Sequence, residues 1–205
     1  MNTQTEATQP PTTLAELNEL SDQAEALTPS AYPPGRVMVD SVNPDAIQRA
    51  IQSGAIKPDL VAGYPDFGWA PEDFQLFQRH NYNTVRITQR NPGDWRLCAV
   101  VDYETGALTA LGLRTYIVAR AAFRPHTQTA YASFSNLARV GSILSGIPFY
   151  WVWVAWWPDY PTNAEIAEIR AQLRPGARLA GVQYRNKQAL DIDLSLILDA
   201  DWQRT

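Results

Sequence analysis

Two carboxylates one residue apart define the chemistry open to this chain. In Val100-Val101-Asp102-Tyr103-Glu104-Thr105-Gly106 an apolar run carries Asp102 and Glu104 and then stops at a glycine. Successive side chains of a β-strand point to opposite faces, so Asp102 and Glu104 share one face and Tyr103 takes the other. At roughly 3.3 Å per residue their Cα atoms stand about 6.6 Å apart. Two carboxyl groups at that spacing can flank a glycosidic bond. A like charge that close disfavours ionising both, so one acid tends to keep its proton near neutral pH. Acid-assisted hydrolysis needs that asymmetry. By itself, a D-x-E pair is also an ordinary strand end meeting solvent.

Further candidates recur at the same structural place, just after apolar strands. Asp66 follows the strand Leu60 to Tyr64, Trp156 and Trp157 end the strand from Phe149, Gln183 and Tyr184 end the next, and Asp193 ends the last. If all strands run parallel, these groups converge on one mouth. Acids beside exposed aromatic rings suit a sugar, because rings stack on sugar faces while carboxylates move protons. Trp151 and Trp153 share one strand face and read as core, while Val152, Val154 and Trp156 share the other. Trp157, at the strand end, is the better subsite residue. Arg86 could steer an acid or sit in a structural ion pair. Asp191 reads as a turn or surface acid.

Composition narrows the alternatives. The 205 residues are 45% hydrophobic with seven tryptophans and a net charge of −4, enough for one core and the wrong balance for a nucleic-acid surface. Cys98 is the single cysteine and sits in an apolar run, so an internal disulfide is excluded and a small buried hydrophobe is expected. His80 and His126 lie far apart without ligand spacing, which argues against zinc, and no cofactor is called for. The N-terminus lacks the basic flank and apolar core of a signal peptide. No run approaches the 18 apolar residues of a membrane span.

The elements that must position these groups follow from periodicity. Residues 1–35 form a Thr/Gln/Pro-rich arm. Within it Thr13-Leu14-Ala15-Glu16 reads as a capping box opening a helix over about 14–27, with Leu14, Leu17, Leu20, Ala24 and Leu27 near one face. Too short to stand alone, that helix must dock on the domain or on a partner. Residues 36–205 form the globular domain. Asn43-Pro44-Asp45 caps a helix through Ile51. Thereafter strands and helices alternate: helices over 71–79, 108–122, 136–144 and 163–173, and strands over 60–64, 84–88, 97–103, 129–133, 149–157, 179–184 and 190–194. Alternation implies β-α-β units, an α/β class and a parallel sheet covered on both faces. Seven or so strands suit a closed or nearly closed barrel, with the active site at the C-terminal strand ends.

The order of motifs is familiar. Ala62-Gly63-Tyr64-Pro65-Asp66, Val100-Val101-Asp102-Tyr103-Glu104, Thr129-Ala130-Tyr131-Ala132-Ser133, Tyr150 to Trp157, Gly181-Val182-Gln183-Tyr184 and Asp193-Leu194-Ser195 resemble the family 25 glycoside hydrolases, lysozyme-like muramidases, and especially the shorter family-25-like domains of phage and bacterial surface proteins. The resemblance spans residues 57–202 and rests on motif order. It implies a modified TIM-type β/α barrel, complete or incomplete, with Glu104 as general acid and Asp102 assisting. It also implies Asp66 and Asp193 as an acidic floor, with Tyr131 helping to hold the sugar. The first-strand motif departs from the family: Tyr64-Pro65-Asp66-Phe67 stands where the family has Asp followed by Ser. The implied partner is bacterial cell-wall glycan, cleaved after N-acetylmuramic acid without metal or cofactor, by a protein delivered in a virion or at lysis. The other implied reading is a catalytically inert virion structural or decoration protein, joined to virion subunits or to its own copies through the arm.

Overall fold

The structure, a computed structural model, describes residues 34–104, 108–156, 160–187 and 190–203. The expected arm helix over 14–27 and the expected subsite residue Trp157 lie outside the described residues. The elements are β1 (Arg36–Ser41), α1 (Pro44–Gln52), β2 (Leu60–Gly63), α2 (Pro71–Arg79), β3 (Asn83–Thr88), β4 (Val100–Asp102), α3 (Ala110–Phe123), β5 (Thr129–Ser133), α4 (Leu137–Ile143), β6 (Tyr150–Ala155), α5 (Asn163–Gln172), β7 (Ala177–Lys187) and β8 (Ile192–Ile197). Helix starts follow their local signals. Asn43 Oδ1 accepts from the Asp45 amide at 3.1 Å ahead of Pro44. The Thr162/Glu165 capping box forms as read, the Glu165 carboxylate accepting from the Thr162 amide at 2.7 Å.

The eight strands close into a barrel in sequence order, β1 to β8, with helices outside. Three expectations are corrected. First, β1 is a strand, although the sequence reads as a linker-like break at Tyr32-Pro33-Pro34-Gly35 with no element before the helix capped at Asn43; its Met38-Val39-Asp40-Ser41 run pairs with β2. Second, the sheet is not wholly parallel. β1 to β7 run parallel, but β8 is antiparallel to both β7 and β1. Between Lys187 and Ile192 there is no room for a crossover helix, so the chain returns as a hairpin. Third, Leu97 and Cys98 precede β4 in a turn, with the Cys98 amide donating to Asp94 O at 2.8 Å. Cys98 is buried as expected, and burial pushes its thiol up to about 12.

Alternation sorts the side chains into two layers. Met38, Leu60, Ala62, Val85, Ile87, Val100, Tyr131, Trp151 and Trp153 pack inside the barrel. Val101, Val152 and Val154 face α3, α4 and α5; Val39, Val61 and Leu194 face α1 and α2. The end where β1 to β7 begin is sealed. Trp202 is fully buried there and its Nε1 donates to Thr129 Oγ1 at 2.9 Å, while its carbonyl accepts from the Arg36 guanidinium at 3.2 Å. The barrel is therefore a cup, and its polar interior lies at the opposite end.

Candidate functional site

A pocket of about 440 Å³ opens at the C-terminal ends of the parallel strands. Each wall residue owes its place to a strand end. Asp40 comes from β1, Tyr64 follows β2, Gln89 follows β3, Asp102 ends β4 with Glu104 two residues on, Tyr131 comes from β5 and Asp193 from β8. Asp193 stands near the start of its strand. Because β8 is antiparallel, that start lies beside the end of β1, and Asp193 is directly opposite Asp40 in the register. The convergence expected of a parallel sheet is thus reached by a reversed strand.

The four carboxyls differ in surroundings and so in proton affinity. Asp40 is 2% exposed, and its Oδ2 has no hydrogen-bond partner among the described residues. Burial, then the charges of Asp193, Asp102 and Glu104, raise its pKa well above the carboxylate range. Asp102, also 2% exposed, accepts from Gln89 Nε2 at 3.0 Å and from the Glu104 amide at 3.0 Å. Burial and the charge of Glu104 nonetheless push it up to about 8. Burial raises Glu104 as well, with the Tyr131 hydroxyl beside it working the other way. Asp193 rises to about 6 through burial, held down by the Gln183 amide. The Tyr131 hydroxyl donates to Gln183 Oε1, so a polar line Glu104–Tyr131–Gln183–Asp193 runs beneath the mouth, above the apolar end of the barrel. Burial raises the phenols of Tyr64 and Tyr131 too, keeping both as neutral hydrogen-bonding groups. Glu104 alone of the D-x-E pair is partly exposed.

Among the residues expected from sequence, the pocket brings together Glu104, Asp102, Asp193 and Tyr131, with Gln183 buried behind Tyr131. Asp66 is placed elsewhere. One of its carboxylate oxygens accepts from the Gln89 amide at 2.8 Å, the Arg90 amide at 2.7 Å and Thr88 Oγ1 at 3.2 Å. It ties the turn after β3 in place and so aims Gln89 at Asp102. Tyr184 points to the outer layer against Tyr160, with ring centroids 5.1 Å apart, because its neighbour Gln183 faces inward and successive strand residues take opposite faces. Trp156 stands edge-on to Phe134 in the outer layer and does not fill the mouth. Arg86 lies over the Phe74 ring at 4.6 Å, away from Glu104. Asp191, read as a turn acid, is an exposed turn residue that also lines the rim.

Asp40, Ser41, Tyr64, Phe67 and Gln89 were missed as wall residues. A signal existed for the first: Val37-Met38-Val39-Asp40 repeats the apolar-run-then-acid pattern of Val100-Val101-Asp102. Phe67 is a half-buried aromatic wall, backed by the Arg90 guanidinium at 4.0 Å. Among the described residues no cluster of three or more His, Cys, Asp or Glu is arranged to hold a metal ion, and no helix is long and apolar enough to cross a membrane. Fold and site together define a closed α/β barrel with an acid-lined pocket at its strand ends. No family model, curated protein or solved structure matches the chain.

Proposed function

We propose that this chain is a lysozyme-like glycoside hydrolase acting on bacterial cell-wall glycan, on a modified TIM-type barrel of the family 25 kind. The observation that carries the reading is the division of labour in the D-x-E pair: Asp102 is buried and held by two hydrogen bonds, while Glu104 is raised by burial yet open to the pocket. Glu104 gives its proton to the glycosidic oxygen. The anomeric C–O bond breaks and the protonated sugar departs as an alcohol. The positive charge that develops on the remaining ring is offset by the carboxylates around it, Asp193 first because it ionises near pH 6, until water adds to the anomeric carbon and returns a proton to Glu104. Tyr64, Tyr131 and Gln89 face sugar hydroxyls, and Phe67 offers a ring face. Asp40-Ser41 on β1 supplies the Asp-Ser pair that Pro65-Asp66-Phe67 lacks, which strengthens the likeness. Delivery with a phage virion or at lysis belongs to the same reading.

The test is release of reducing ends from purified peptidoglycan by the full-length chain. Wild type releases them, and Glu104→Gln lowers the rate by about 100-fold or more, the share typical of a general acid, without lowering the Tm. Wild type that sediments with cell walls but frees no reducing ends would replace hydrolysis by glycan binding; wild type that does neither would remove the glycan reading altogether.

A further inference from the structure

Four of the five exposed large apolar side chains among the described residues, Leu97, Leu111, Val118 and Phe123, lie on one face of the barrel. Leu111 and Leu97 are 74% and 62% exposed. On α3, Leu111, Thr115, Val118 and Ala122 recur at i, i+4, i+7 and i+11, an uncharged stripe turned to solvent. The turn before β4 is fastened alongside: Arg120 donates to the carbonyls of Trp95 and Arg96 at 3.0 and 3.3 Å, the Tyr116 hydroxyl donates to Cys98 O at 2.6 Å, and Trp95 meets Phe123 edge-on at 5.6 Å. A fixed apolar patch results, edged by the cations of Arg96, Arg114 and Arg124. Helix faces open to water are ordinarily charged, so a stripe like this marks a contact surface.

We propose that residues 14–27 of the same chain dock as a helix on this patch, the face of Leu14, Leu17, Leu20, Ala24 and Leu27 against Leu111, Val118 and Phe123. Charge complementarity selects this occupant. Residues 1–33 hold Glu6, Glu16, Glu19, Asp22 and Glu25 and no lysine or arginine, opposite a rim of arginines. The geometry of the tether agrees. Residues 28–35 span at most about 26 Å when extended. They join β1 at the sealed end of the barrel, where Arg36 meets Trp202 and Trp202 meets Thr129, and α3 ends shortly before Thr129. A helix of this length is marginal alone in water, and tethering to its site supplies the high effective concentration that a weak contact needs.

Cysteine pairing in the full chain tests the proposal, since Cys98 is buried with its thiol raised to about 12 and stays unreactive. Leu20→Cys/Val118→Cys should close an intramolecular disulfide under mild oxidation, seen as a monomer of altered mobility that reverts on reduction. Leu20→Cys/Ala167→Cys, with the second thiol exposed on α5, should not. A disulfide-linked dimer would assign the patch to a second copy and overturn docking within one chain; closure to both positions alike would overturn any specific site. Because thiol pairing depends on register, Leu20→Asp and Val118→Asp provide the second measurement. Each should lower the Tm by a few degrees, and the double variant should lose no more than either single. Additive losses, or none, would reject the contact.

Discussion

Asp102 and Glu104 line the same pocket, yet their neighbours assign them different work. Asp102 is buried and accepts hydrogen bonds from two sides, so its raised pKa acts mainly on stability. In the unfolded chain its carboxyl titrates near 3.8, in the folded chain near 8. Between those values the folded state binds more protons than the unfolded one, so stability falls as pH rises through that window and levels off above it. Asp102→Asn removes the titration. At roughly 1.4 kcal/mol per pKa unit and about 3 °C per kcal/mol for a domain of this size, the drop in Tm from pH 5 to pH 8.5 should shrink by on the order of 10 °C. Thermal melts at the two pH values decide it, and an unchanged drop would mean that Asp102 is not held in its protonated form.

Elements, more than single residues, decide which acids meet. Asp66 and Asp40 both follow or end apolar strands, but only β1 delivers its acid into the pocket, while the turn after β2 uses Asp66 to tie down the start of the next loop. That turn is anchored by Trp69, whose Nε1 donates to Ser41 O at 2.9 Å and whose ring packs on Phe74 and Phe77. Gly63 permits the approach: a Cβ there would stand 2.2 Å from the Trp69 ring. Gly63→Ala should therefore displace the indole and cost about 1 to 3 kcal/mol, as overpacking does. The expected reading is a Tm lower by roughly 3 to 9 °C with weakened protection of the Trp69 indole N–H in hydrogen exchange. A variant as stable as wild type would show that α2 and β2 are packed less tightly than this.

For the whole molecule, the barrel is a cup with an apolar floor and an acid-lined mouth. The mouth gathers like charges that oppose folding, a pattern retained where chemistry needs it. The opposing stabilisation sits at the floor, where Trp202, Trp153 and Trp151 pack in one cluster and each indole N–H has a partner: Thr129 Oγ1, Ser195 Oγ and His126 O. Trp202→Ala opens a cavity and leaves Thr129 short of a partner, a loss of about 3 to 5 kcal/mol. A Tm lower by roughly 10 °C is expected; a fall within error would mean that the C-terminal turn is not part of the cooperative core.

Local rules made a good part of this legible. Strand alternation alone put Asp102 and Glu104 on one face and Trp151 with Trp153 on another, because direction in a strand depends only on residue parity. Capping chemistry located the starts of α1 and α5 for the same reason: its partners lie within three residues. β1 went unread because the Pro33-Pro34-Gly35 break beside it outweighed a short apolar run, and Asp40 went with it. Whether a wall acid comes from Asp40 or Asp66, and whether β8 runs backwards so that Asp193 reaches Asp40, are settled between residues far apart in the chain. Barrel closure brings such pairs together, and no spacing within a single strand encodes which strands become neighbours or in which direction they run.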